Sequence, residues 1–408
     1  MRISRIFLLG FVFFAFFVNS VFAAFNDVPF NHPSQVAIDY LYDDGVVQGY
    51  EDGSFGVFLD VSRAEFLKFV MRAFKVDVDS FSGNGPSFTM FFNDVGSVDW
   101  YFYYLYIAYL NGWVHGYEDG SFRGGNGVVS SEALKMLGEV AGWELVEGSF
   151  INWYDPYVLY ASEHGILLTN LDNYNPSDII DRTEIAEMTY RAMGDKYGFE
   201  VLPLKVEQFV DLDVDFYSQA PFGEWSDERQ SEGCEEASIL MAVNWANSQS
   251  VFSLEKVKET ILAISKYEED VLGTFHDTSL ADTYTQIVLN YFEFYNADLR
   301  ENVTVWDIVN ELYDGNLVVV PINAQKVYNP NFTYPGPLQH MVLIKGYDPK
   351  TKEFIVHDPG TRNGENYRYS LKEMDMAIND YITGNLSYMP ATDKRMIVFK
   401  KGSVFAMK

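Results

Sequence analysis

Two stretches of this chain are near copies of one another. Phe25-Asn26-Asp27-Val28 returns as Phe92-Asn93-Asp94-Val95, and Gly49-Tyr50-Glu51-Asp52-Gly53-Ser54-Phe55 returns as Gly116-Tyr117-Glu118-Asp119-Gly120-Ser121-Phe122 at the same offset. Two matches sharing one offset mark a duplicated structural unit. A third, worn copy covers roughly residues 153–193, where Gly165-Ile166-Leu167 answers Gly45-Val46-Val47. Each copy reads as helix, Asp-Gly turn, helix. Units this short cannot bury an apolar face singly, so three must share a core.

The second helix of each copy carries its own start signal. Ser62 is placed to cap a helix while Glu65 reaches back, a capping box, and Phe66, Phe69, Val70 and Ala73 then fall on one face. Asp181 and Glu184 repeat the device ahead of Ile185, Met188, Thr189 and Ala192. The middle copy keeps Glu132 and the face Ala133, Met136, Leu137 and Val140, but Val129 stands at the cap position, so Ser130 or Ser131 is expected to serve.

Over about residues 25–195 the tripled unit resembles the surface-layer homology (SLH) domain, on Phe-Asn-Asp-Val, on Gly-Tyr-Glu-Asp-Gly-Ser-Phe and on Ser62-Arg63-Ala64-Glu65. The resemblance implies an all-α, pseudo-trimeric helical repeat domain whose grooves hold an acidic secondary cell-wall polysaccharide. It implies ligand contacts at Arg63 and Arg182 and in the Gly49-Tyr50 and Gly116-Tyr117 loops. The middle copy has Ser130 at the arginine position and the third has lost its Gly-Tyr loop, so one or two competent grooves are expected.

The N-terminus has a charged start, an apolar run from Ile6 to Phe17 and small residues before Ala23, the pattern of a signal peptide over 1–23. Removal would leave no transmembrane span and an exported protein at the cell surface. A formal net charge of −29 repels nucleic acid and anionic lipid, so nucleic-acid partners are excluded. An anionic glycan would therefore be held by specific arginine hydrogen bonds and not by a diffuse field. With one cysteine there is no internal disulfide.

That cysteine lies in Gln230-Ser231-Glu232-Gly233-Cys234-Glu235-Glu236-Ala237-Ser238, where a glycine turn delivers the thiol to the start of a helix-like apolar run. A helix N-terminus favours the thiolate. Alone, such a thiol is as readily a small buried hydrophobe. Helices are expected over 234–247, 254–265, 280–294 and 305–313, and strands over 316–322, 340–347, 353–357, 367–370 and 395–399. Helices followed by an antiparallel sheet make an α+β domain.

Residues 209–400 resemble the bacteriocin-processing, papain-like cysteine peptidases (the family-39-like type). The matching residues are Tyr217-Ser218-Gln219-Ala220-Pro221, the run Gln230 to Met241, His340 through Gly346-Tyr347-Asp348, and Asp358-Pro359. The resemblance implies Cys234 as nucleophile, His340 as base and then acid, and Asp358 orienting the imidazole, with no metal or organic cofactor. A glutamine would polarise the carbonyl, Gln230 being nearer in sequence and Gln219 its rival. Asp348 competes less well with Asp358; His357 is expected on the opposite strand face, and His276 in a loop that could line the cleft. The chain departs from the family where Glu235 and Glu236 follow the cysteine. A carboxylate roughly 4 Å from the sulfur would oppose ionisation by about 4 kcal/mol at an effective dielectric near 20. Helical geometry is expected to carry Glu235 to one side.

The expected organisation is a signal peptide (1–23), SLH repeats at 24–80, 90–146 and 148–195, a linker (196–208) and a peptidase domain (209–408). The expected function is a wall-anchored cysteine peptidase acting on a peptide or protein substrate. Two alternatives stay open: an endopeptidase of peptidoglycan cross-links, and an inactive surface-layer or adhesin protein that binds peptides.

Overall fold

A computed structural model describes residues 24–82, 91–203, 208–384 and 393–402; the expected signal peptide lies outside them. In the first half, Gln35–Asp43, Phe102–Leu110 and Asp155–Glu163 form the leading helix of each copy, and Arg63–Ala73, Ser130–Ala141 and Arg182–Tyr197 the following one. Between them the two repeated motifs lock onto each other. The Asp27 carboxylate accepts from Phe55 N at 2.6 Å and Gly56 N at 2.7 Å, and Asp94 does the same for Phe122 N at 2.8 Å and Arg123 N at 2.7 Å. Asn26 and Asn93 donate to the carbonyls of Asp52 and Asp119. Phe55 and Phe122 are thereby delivered fully buried, each worth roughly 1.5–3 kcal/mol. One apolar core, from Phe25 to Met193, draws on all three copies.

The copies close in a ring. The following helix of the first copy begins with Arg63 N and Ala64 N donating to Asn126 O and Gly124 O of the second. Ser130 N and Ser131 N of the second donate to Asp178 O and Pro176 O of the third, and Arg182 N of the third returns to Leu59 O of the first. Isolated bridges Ser62↔Gly127, Val129↔Ile179 and Asp60↔Asp181 mark the same three seams. Ser62 with Glu65 and Asp181 with Glu184 form full capping boxes. The middle helix corrects the expectation of a serine cap. Val129 is its N-cap without a side-chain bond, because the third copy's carbonyls already take the free N–H groups and Ser131 Oγ donates to Pro176 O at 2.8 Å. Among the described residues the first half holds helices and isolated bridges only.

The second half is built on one antiparallel sheet. Its strands are β1 (Val210–Asp211), β2 (Ala297–Glu301), β3 (Leu317–Ile322), β4 (His340–Asp348), β5 (Glu353–His357), β6 (Tyr367–Ser370) and β7 (Arg395–Phe399). The order is β2-β7-β3-β4-β5-β6, with β1 pairing β4. Leu317, Val319, Met341, Leu343 and Ile397 face a core shared with the helix Cys234–Ala246; Val318, Val320, Val342, Ile344 and Val398 face another under Val305–Tyr313 and Leu371–Ala377. Both faces are covered, so the central strands are apolar throughout. The helix expected over 254–265 runs on as Leu254–Leu272. The one expected over 280–294 is a short helical turn, Leu280–Asp282, followed by a π-helix, Thr283–Tyr291. Among the described residues no helix is long and apolar enough to cross a membrane.

Candidate active site

Cys234 opens its helix behind Gly233, whose place no larger residue takes easily: a Cβ there would stand 2.9 Å from Arg229 O and 3.6 Å from the Gln219 Cβ. The helix packs against β3 and β4, and Ser238 Oγ donates to Met341 O at 3.1 Å. The Met341 backbone N–H reaches the sulfur, so the thiol lies beside the residue that follows His340.

His340 begins β4 and is 3% exposed. Its Nε2 lies 2.7 Å from Asp358 Oδ1, which leaves Nδ1 as the second nitrogen of the ring. Asp358 is fully buried and well supplied with donors. Gly360 N donates to Oδ1 at 3.0 Å, and Tyr369 OH and Asn329 Nδ2 donate to Oδ2 at 2.7 and 3.3 Å. Burial by itself would raise this carboxyl, but His340 and these donors outweigh it and hold it below the usual range. Gly360 is needed for the imidazole, since a Cβ there would come 2.7 Å from His340 Cε1. Phe332 covers the ring edge-on at 5.5 Å.

The two glutamines separate. Gln219 N donates to Pro359 O at 3.1 Å and its Nε2 to Ser231 O at 2.7 Å, so it bridges the Asp358-Pro359 turn and the turn ahead of Cys234. Gln230, the nearer in sequence, donates to Glu224 at 3.3 Å. Gln230 lies buried in a short helical turn, Glu228–Ser231.

Glu235 does not swing aside as helical spacing predicts. Cys234 Sγ donates to Glu235 Oε2 at 3.0 Å, and Tyr381 OH donates to Oε1 at 2.6 Å. Burial first, then the Glu235 charge and hydrogen bond, push the Cys234 thiol well up. Glu236 turns the other way, accepting from Ser265 Oγ at 2.6 Å and sharing a hydrogen bond with Glu268. The sequence signal for this buried acidic lining lay only in the two glutamates after the cysteine. Tyr381, Glu268 and Asp277 carried none.

His357 sits on the other side of the strand, with Nε2 at 2.9 Å from Val214 O, and burial lowers it to about 4. His276 occupies a half-buried loop position, and Asp348 ends β4 paired with Arg368 at 2.9 Å.

In the repeats each arginine enters the Gly-Tyr loop of the next copy. Arg63 pairs with Glu132 at 2.5 Å, donates to Phe122 O at 3.0 Å and lies over Tyr117, whose hydroxyl donates to Glu132. Arg182 lies over Tyr50 and donates to Gln48 O at 2.7 Å. Gly49 and Gly116 let the loops close on Phe25 and Phe92, where a Cβ would stand 2.4 and 2.3 Å from the rings. Around Arg63 is a pocket of about 300 Å³ lined by Trp113, Tyr117, Glu132, Lys135 and Trp153.

The S-layer homology domain matches residues 24–67 and 91–128, and the Peptidase_C39 like family matches residues 211–385. The chain is 30% identical over 150 residues to the middle cell wall protein of Brevibacillus brevis, and 32% identical over 100 residues to the surface layer protein of Brevibacillus choshinensis. These segments are 36% and 24% of this chain but only 13% and 9% of those proteins. A crystal structure from Bacillus anthracis described as C39-like aligns at 16% identity and a TM-score of 0.32, covering 48% of this chain and 98% of that one. The repeats give the chain a cell-surface, cell-wall location. It thus joins wall-directed S-layer homology domains, matched at 24–67 and 91–128, to a domain of the Peptidase_C39 like family over 211–385.

Proposed function

We propose that this chain is a cysteine peptidase held at the cell wall by its repeats. Cys234 is the nucleophile, His340 the base and then the acid, and Asp358 the group that orients the imidazole. The observation that carries the reading is the buried His340–Asp358 pair at 2.7 Å, set one residue from the N–H that reaches the Cys234 sulfur. His340 takes the thiol proton and the sulfur bonds to the scissile carbonyl carbon. The resulting oxyanion is held by the Cys234 N–H at the helix N-terminus and by Gln219 Nε2. His340 then gives its proton to the leaving amine as the C–N bond breaks. Water, deprotonated by His340, releases the acid from the thioester and restores the thiol. Gln219 takes the oxyanion role in preference to Gln230 because it lies at the cysteine turn.

Arg63 with Tyr117, and Arg182 with Tyr50, hold acidic groups of a wall polysaccharide, and Gly49 and Gly116 shape those loops. A second reading, a silent peptide-binding domain, is favoured by one observation: the Cys234 thiol rests on the Glu235 carboxylate.

Cleavage of a mixed peptide library, read by mass spectrometry, decides between them. Turnover by the wild type, falling by about 10³-fold or more in Cys234→Ala and His340→Ala, is expected. Absence of turnover, or turnover indifferent to Cys234, would establish the silent reading.

A further inference from the structure

The lining around Cys234 contains more carboxyl groups than the proposed chemistry uses. Glu235 is engaged by the thiol and by Tyr381, and Glu236 and Glu268 by Ser265, Thr278 and each other. Asp277 differs. It is 8% exposed, yet its carboxylate has no hydrogen-bond or ion-pair partner among the described residues. Its backbone oxygen accepts from Gly384 N at 3.3 Å, which fixes its loop against the segment carrying Tyr381. Tyr381 in turn touches Glu235, so Asp277 is held on the cysteine side of the domain. Glu232, half-buried, ends the short turn directly before Gly233 and Cys234. Burial first, then the charges of Glu235 and Glu232, raise Asp277 to about 7. Among the described residues no lysine or arginine pairs with Asp277, Glu232 or Glu235. A largely buried carboxylate without a protein donor is costly, and a cation at hydrogen-bond range is what relieves it.

We propose that Asp277 and Glu232 form a subsite beside Cys234 for a cationic side chain of the substrate, whose charge offsets Glu235 and frees the thiol to ionise. The proposal rests on the peptidase reading of the same site and narrows it to peptides carrying an ammonium or guanidinium group next to the cleaved bond. The charges that bear on the thiol come from Glu235 and Glu236 of its own helix, with Tyr381 beside it, while Asp277 from the loop and His340 from β4 act on Glu235. Only His340 among them can carry positive charge.

The test uses the full mature chain and two small thiol reagents, the cationic aminoethyl methanethiosulfonate and the neutral methyl methanethiosulfonate. At about 1 M salt the general field of the acidic chain is screened within about 3 Å, while a buried site is screened far less. Cys234 is expected to prefer the cationic reagent by about tenfold over a free cysteine peptide, the low end of charge focusing in a cleft. Asp277→Asn should remove most of that preference, and Glu232→Gln, a less buried change, part of it. A preference equal to that of the peptide, or one unchanged in both variants, would overturn the subsite. These ratios need no turnover. A cationic preference in a protein that cleaves nothing would sink the peptidase reading and keep the subsite; cleavage with no preference for cationic reagent or peptide would do the reverse.

Discussion

The Glu235 carboxylate stands against the sulfur, where thiolate chemistry calls for positive charge. With burial it drives the Cys234 thiol up, so less thiolate is present at neutral pH than a free cysteine would show. Glu235→Gln keeps an oxygen for Tyr381 and removes the charge. The midpoint of iodoacetamide alkylation against pH should fall by about one unit or more, and the rate at neutral pH should rise about tenfold. An unchanged midpoint would mean that burial alone sets the thiol. Helical spacing could not foresee this contact. It orients the Cα–Cβ bond, while three further torsions of a glutamate decide where the carboxylate goes. The two glutamines separate for a related reason. Distance along the chain favoured Gln230, but a short turn aims Gln230 at Glu224 and a distant loop brings Gln219 back to the cysteine.

Between the helices Cys234–Ala246 and Leu254–Leu272 lies the Glu236–Glu268 pair, each with one oxygen that no protein N–H or O–H outside the pair reaches. A proton held between the two carboxyls joins the helices. Burial raises Glu268 from 4.5 to about 8, so between those values the folded chain keeps a proton that the unfolded chain has lost. Protons bound in the folded state then exceed those in the unfolded state, and stability falls as pH rises through that window. Glu268→Gln can donate to Glu236 without a proton from solvent. Calorimetry should show a higher Tm than the wild type at pH 8, by about 2–4 °C for each kcal/mol relieved, and little gain near pH 5. Equal shifts at both pH values would remove the shared proton from the account. At this scale the capping boxes at Ser62 and Asp181 were legible, because a cap is local. The cap of the helix Ser130–Ala141 was not, since its first N–H groups are satisfied by carbonyls of another copy. Strand β2 went unseen because Ala-Asp-Leu-Arg-Glu offers only two apolar residues, too short an alternation to mark a strand; it is an edge strand specified by β7.

The two halves meet along a mixed seam. His32 packs on Trp306 at 4.9 Å, Asn31 donates to Asp307 at 3.1 Å, and Lys352 pairs with Glu184 at 2.9 Å, two residues from Arg182. The Arg63 groove has an aromatic and basic pocket of about 300 Å³, whereas the Arg182 groove borders the second half. On the proposed wall-binding reading, Arg63→Ala should weaken binding to purified wall polysaccharide by about tenfold, and Arg182→Ala by less. Titration calorimetry measures both, and a larger loss for Arg182→Ala would reverse the ranking of the grooves. What the sequence determined by itself was whatever is local or repeated: the duplicated motifs, two caps, the strand-heading His340 and the turn-borne Cys234, since neighbouring backbone groups and periodic apolar residues act over a few positions. Which carboxylate rests on the sulfur, which glutamine reaches the cysteine turn, which copy caps which helix and which acids must share a proton were decided by tertiary structure alone, because burial brings together groups far apart in the chain and removes the water that would otherwise have kept them indifferent to one another.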